Sequence, residues 1–130
     1  MSALFHMIAG GPKPVAPFSH AVECDGFVFV TGQMPDTPAA PGVLPEGVEA
    51  QTRNVMENLR LVLAGLGLGF EHVVCTRAFL TEFHEDYAVF NETYRSYFPQ
   101  GRLPARTCVG VTGLAYGARV EIDFIAHRGA

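Results

Sequence analysis

Two hydrophobic periods organise this chain: short runs in which apolar and polar residues alternate, and longer runs in which apolar residues return every three or four positions. Ala21 to Thr31 is the clearest alternating run, with Ala-Val-Glu-Cys, a central Asp25-Gly26, then Phe-Val-Phe-Val. Asp-Gly accepts the positive φ values of a type I′ turn, so the run predicts a β-hairpin. Ser2 to Met7 predicts a short first strand. Gly10-Gly11-Pro12-Lys13-Pro14 then predicts a loop, because proline lacks an N–H and glycine permits unusual φ. Pro35 to Gly47 holds four prolines and two glycines and predicts a loop of uncommon length.

From Val48, the positions Val55, Leu59, Val62, Leu63 and Leu66 follow a helical period, with stop signals at Gly65, Gly67 and Gly69. Val73 to Thr81 predicts a strand rich in β-branched and aromatic residues. Phe83 to Phe98 predicts a second helix with Tyr87, Phe90, Tyr94, Tyr97 and Phe98 along one stripe. Ala105 to Leu114 and Ala118 to His127 predict two final strands. The short break at Ala115-Tyr116-Gly117 implies that these two pair antiparallel.

The expected order is therefore β, β-hairpin, α, β, α, β, β, an α+β fold in one domain spanning residues 1–130. Phe27 to Val30 and Val73 to Leu80 are apolar on both alternating faces, and such strands need cover on both sides. Two helices cover one face. The other is expected to meet a second subunit in a closed symmetric oligomer, whose junctions form ligand clefts.

Composition narrows the partners. A net charge of -4, a pI near 5.7 and a single lysine, Lys13, with arginines scattered from Arg53 to Arg128, argue against nucleic acid. The apolar fraction of 48% is high for a small monomer and supports association. Cys24, Cys75 and Cys108 form no CxxC pair, which points to a reducing cytoplasm instead of a disulfide framework. Met1 to Gly11 lacks the charge and apolar length of a secretory signal. No segment approaches the roughly 18 apolar residues of a membrane span. The five histidines show no metal-ligand spacing, and no glycine motif cradles a phosphate, so neither metal nor cofactor is expected.

Candidate chemistry lies near the C-terminus. Period 2 puts Arg106 and Cys108 on one side of their strand, and Glu121 and Asp123 on one side of the next. Adjacent strands would bring Arg106 and Glu121 to a common face. There they form either a rim salt bridge of little energetic weight or a site in which guanidinium binds a carboxylate and Glu121 handles a proton or a water. Cys108 is either a nucleophile or, more simply, a small buried hydrophobe.

Pro17-Phe18-Ser19-His20-Ala21, Phe29-Val30-Thr31-Gly32-Gln33, Gln51-Thr52 with Asn58-Leu59, Phe90-Asn91-Glu92-Thr93-Tyr94, Pro104-Ala105-Arg106-Thr107-Cys108 and Val120-Glu121-Ile122 occur in a characteristic order. In that order and spacing the chain resembles the Rid family of reactive-intermediate deaminases, of the RidA type, also called the endoribonuclease L-PSP family. The resemblance implies a chorismate-mutase-like mixed sheet with two helices on one face, assembled as a homotrimer with clefts between subunits. It implies that Arg106 binds the carboxylate of a 2-imino or 2-aminoalkenoic acid and that Glu121 positions the attacking water. Phe18, Thr31, Gly32, Asn91 and Cys108 would complete the pocket.

Phe18 stands where such proteins usually carry tyrosine, which makes the pocket drier and bears on substrate choice. Gly110 and Ala115-Tyr116-Gly117 also depart from the pattern and are expected near the cleft. The activity implied is hydrolysis of imines to 2-oxo acids and ammonia. The alternatives are a non-catalytic trimeric module that senses an oxo or imino acid, an aminomuconate-type deaminase, and, least favoured by the acidic balance, a ribonuclease.

Overall fold

Between the second and third strands the chain reverses through Asp25 and Gly26, whose φ values of 53° and 80° are both left-handed, as a type I′ turn requires. The computed structural model describes residues 2–130. Its strands are β1 (Leu4–His6), β2 (Ala21–Cys24), β3 (Phe27–Gln33), β4 (Val73–Leu80), β5 (Ala105–Gly110) and β6 (Val120–His127). Its helices are α1 (Val48–Gly65) and α2 (Phe83–Arg95). The second helix ends earlier than the aromatic stripe predicts, because Tyr97 and Phe98 donate to carbonyls only three residues back and close the helix in a tight turn. Among the described residues no helix is long and apolar enough to cross a membrane.

The six strands form one mixed sheet in the order β1-β2-β3-β6-β4-β5. This overturns the expected antiparallel pairing of the last two strands. β6 lies between β3 and β4 and is antiparallel to both, while β5 runs parallel to β4 at the sheet edge. The reason lies in residues 111–119, which form a crossover around the end of β4. The Val111 N–H donates to Leu80 on one side of that end, and the Thr81 N–H donates to Arg119 on the other, at 2.9 and 3.1 Å. Tyr116 (φ 61°) and Gly117 (φ 68°) make the reversal in the left-handed region. Apolar content agrees with this placement: Val120, Ile122, Phe124 and Ala126 are fully buried, as a central strand demands, whereas β5 is largely exposed.

Both helices cover one face of the sheet. Val55, Met56, Leu59, Val62 and Leu63 of α1, with Phe90 and Tyr94 of α2, pack on Val28, Val30, Ala78, Leu80, Ile122 and Phe124. Burial of each large apolar side chain contributes about 1.5–3 kcal/mol, so this cluster dominates stability. The opposite face carries Phe27, Phe29, Val74 and Val109, each more than a third exposed. One ion pair interrupts it, Arg77 to Asp123 at 2.8 Å.

Polar residues of α1 fasten the long loop between β3 and α1. The Asn58 amide donates to the Met34 and Asp36 carbonyls at 3.0 and 2.8 Å, and Asn54 donates to the Pro35 carbonyl. Gln51 donates to the Pro45 carbonyl and accepts from the Arg119 N–H at 2.8 Å, which ties the loop to the start of β6. His20, also buried, accepts the Ile8 N–H through Nδ1 and donates through Nε2 to the Pro12 carbonyl. These motif residues build the scaffold.

Candidate active site

Arg106 takes its position from the parallel register of β5 on β4, which pairs Thr76 with Arg106 and Ala78 with Cys108. Thr76 and Ala78 face the helices, so Arg106 and Cys108 do too. The guanidinium meets a wall of α2 rings, 5.1 Å from the centroid of Tyr94, 5.5 Å from Phe90 and 5.9 Å from Tyr87. Rings at these distances hold a cation by their negative faces without consuming its charge. A cavity of about 350 Å³ opens here, lined by Tyr87, Asn91, Tyr94, Arg95, Leu103, Pro104 and Arg106. Oδ1 of Asn91 is buried and, among the described residues, has no hydrogen-bond partner. Burial pushes the Cys108 thiol up, only partly offset by Arg106, and its side chain packs on the core. That environment makes Cys108 a wall residue and removes support for a thiolate nucleophile.

Glu121 lies on the other side of the sheet. The alternation of β6 sends Val120 and Ile122 into the core and Glu121 and Asp123 to the open face. β3 is irregular between Val30 and Gln33, and this irregularity brings Gly32 under the Glu121 side chain. A Cβ added to Gly32 would collide with the carboxylate, with Cδ at 3.0 Å and Cγ at 3.2 Å. Burial first, then the nearby Asp123, pushes the Glu121 carboxyl above the ordinary carboxylate range, with Arg77 opposing. Phe18, Thr31 and Gly32 line a cavity of about 450 Å³ that runs along this face over Phe29 and Ile125.

The expected common face for Arg106 and Glu121 is therefore corrected. β4 separates their strands, and along it Thr76 is level with Arg106 while Phe79 is level with Glu121. The two residues occupy opposite faces of one sheet, three residues apart along β4, a rise of about 10 Å. The predicted residues fall into two half-sites: Asn91, Arg106 and Cys108 beside α2, and Phe18, Thr31, Gly32 and Glu121 on the open face.

A family model described as Endoribonuclease L-PSP matches residues 9–128. The chain belongs to that family. It is 46% identical over 117 residues to Protein DfrA of Myxococcus xanthus, covering 88% of each chain. It is 36% identical over 118 residues to mouse 2-iminobutanoate/2-iminopropanoate deaminase, covering 91% of this chain and 86% of that one. Among solved structures, YyfA of the Rid family from Yersinia pestis superposes with a TM-score of 0.90 at 31% identity, over 97% of this chain and 99% of the other.

In this L-PSP chain the ring wall of Arg106 is the feature of the candidate site that the sequence alone does not reveal. Tyr87, Phe90 and Tyr94 read as a core stripe, and the available signal was their spacing around Asn91 on one helix side. Tyr87 is more than a third exposed and stacks on Phe83 at 4.8 Å. Gly110 lies against Phe83, whose Cβ is 3.1 Å from a Cβ built there, so that departure does border the Arg106 half-site. The turn at residues 115–117 does not. Tyr116 lies over Gly42 beside Gln51 and Arg119, away from both half-sites.

Proposed function

We propose that this chain is an imine deaminase that hydrolyses reactive 2-imino (2-enamino) acids to 2-oxo acids and ammonia, in a cleft shared by two copies of a closed homotrimer. One observation carries this reading: among the described residues, half-buried Arg106 has no carboxylate partner and half-buried Glu121 has neither a cation nor a donor on it. Charges left unanswered in partly dry surroundings are costly unless a ligand completes them. The name of the mouse relative supplies the reaction class.

The half-sites face opposite ways, so a working site needs the Arg106 side of one copy against the Glu121 side of another. The exposed apolar face that carries Phe27 and Phe29 gives such a contact its driving force. A head-to-tail contact whose rotation closes gives a ring, and a ring of three copies is what the family resemblance implies. In the cleft, the Arg106 fork takes the C1 carboxylate bidentately and Asn91 presents its unpartnered oxygen to the substrate N–H. The partner's Glu121 accepts a proton from water as the water oxygen bonds to the C=N carbon, and passes that proton to the nitrogen. In the resulting carbinolamine the partner's Glu121 takes the hydroxyl proton and returns it to the nitrogen as the C–N bond breaks, which leaves C=O and ammonia. Orientation and one proton acceptor suffice for a reaction that already runs unaided.

A binding module that only senses oxo acids would use Arg106 but has no need of a carboxylate with raised proton affinity. That favours catalysis. A ribonuclease reading has less support, because the chain is acidic and five of its arginines are paired with carboxylates, which leaves no basic stripe for RNA. The test generates 2-iminopropanoate or 2-iminobutanoate in situ and follows 2-oxo acid release. The expected result is acceleration that Arg106→Ala and Glu121→Gln each remove; no acceleration by the parent protein rejects the reading.

A further inference from the structure

Six of the eight arginines are accounted for by contacts within the chain. Arg53, Arg60, Arg77, Arg119 and Arg128 each pair with a carboxylate, and Arg102 donates to the Glu71 carbonyl at 2.8 Å. Among the described residues, the remaining two, Arg95 and Arg106, have neither kind of partner, and both line the same cavity of about 350 Å³. None of its lining residues is an aspartate or a glutamate. The cavity therefore carries two cations and no carboxylate in its lining.

The geometry of α2 explains how two cations share one ligand. Tyr87, Asn91 and Arg95 recur every four residues, so they lie on one side of the helix, with Arg95 about 6 Å beyond Asn91 along its axis. The Arg106 guanidinium lies alongside this row, 5.9 Å from the Tyr87 ring and 5.1 Å from the Tyr94 ring. Asn91 lines the same cavity as both guanidiniums, and among the described residues its Oδ1 has no partner. A single carboxylate at Arg106 leaves Arg95 free. A ligand with a second carboxylate on its side chain answers both.

We infer that Arg95 is a specificity-determining residue and that the site prefers imino acids whose side chain ends in a second carboxylate, of the 2-iminoglutarate kind. This rests on the assignment of Arg106 to the C1 carboxylate. Each guanidinium–carboxylate pair is charge-assisted and geometrically matched, and a preference of about tenfold over an uncharged side chain of equal length is a modest expectation for one such contact.

Two measurements on the intact protein test the inference. In the first, amino-acid oxidases generate 2-iminoglutarate from glutamate and 2-iminopentanoate from norvaline, and oxo-acid release above the uncatalysed rate is compared. The parent should favour the dicarboxylate about tenfold in kcat/KM. Arg95→Gln should bring the ratio to within about twofold, with Arg95→Lys restoring part of it. In the second, calorimetry compares binding of 2-oxoglutarate and 2-oxopentanoate, stable compounds that need no turnover. A 2-oxoglutarate preference lost in Arg95→Gln supports the inference even if no imine is hydrolysed, in which case only the deaminase reading fails. Equal binding of the two oxo acids by the parent, or a preference that Arg95→Gln leaves intact, overturns it.

Discussion

Gly32 leaves room for the Glu121 carboxylate that any other residue would fill, since a Cβ at position 32 would strike the carboxyl group. Gly32 is not among the residues at positive φ, so the requirement comes from the neighbour and not from its own backbone. Gly32→Ala should therefore keep the fold while displacing Glu121. A displacement of about 1 Å in a reacting group costs up to roughly 10²-fold, and imine hydrolysis should fall on that scale while circular dichroism is unchanged.

Glu121→Gln should lower activity by roughly 10²-fold, the low end for a general base, because the uncatalysed reaction is already fast. The same change should raise stability at neutral pH. The Glu121 carboxyl is held above its ordinary value by burial, so the native state binds its proton more tightly than the unfolded chain does. That contribution is complete below the ordinary carboxylate value and is lost as pH rises through the elevated one. Thermal melts should give a Glu121→Gln advantage near pH 7 that vanishes near about pH 4. In the parent, the acidic limb of kcat/KM should lie above the range of an exposed glutamate.

Glu23 shifts the opposite way. Hydrogen bonds from Arg128, and secondarily from His6, hold its pKa at about 2. A depressed carboxylate stabilises the fold above its unfolded value near 4.5, and that stability disappears as pH falls toward 2. Urea midpoints for the parent and Glu23→Gln should differ at pH 6, draw together as pH falls below about 4.5, and converge only toward pH 2.

Arg106→Lys should behave almost like Arg106→Ala. Lysine keeps the charge but loses the planar fork that lies against Tyr94 and Phe90. Steady-state kinetics should show a raised KM for every carboxylate substrate.

Asn58→Ala should destabilise by about 2–4 kcal/mol, because two buried carbonyls of the long loop, at Met34 and Asp36, lose their donor together. Chemical unfolding measures this directly. Slower hydrogen exchange in the loop of the variant than in the parent would contradict it.

The hairpin, both helices and the long loop were legible because each depends on local rules: Asp25-Gly26 for the turn, the repeat of Val55 and Leu59 for α1, and clustered prolines for the loop. Strand partners were not. The chain from Val111 to Arg119 has a short break that also suits a crossover, and only the pairing of β6 between β3 and β4 decides between them. The Arg106 and Glu121 assignments followed from their residue types and flanking motifs, but their relative placement depended on strand order, and so the common-face expectation failed. The ring wall and Arg95 were hidden because Tyr87, Phe90 and Tyr94 obey the same helical spacing whether they pack a core or cradle a guanidinium.

That one site draws on two chains is tested most directly by mixing Arg106→Ala and Glu121→Ala subunits, each inactive alone, through joint refolding and assaying imine hydrolysis. Random rings should recover about a quarter of the parent activity, because one junction in four then joins an intact Arg106 to an intact Glu121. Mixed assemblies that form but stay inactive would mean that both residues must come from the same chain, which contradicts their placement on opposite faces of the sheet.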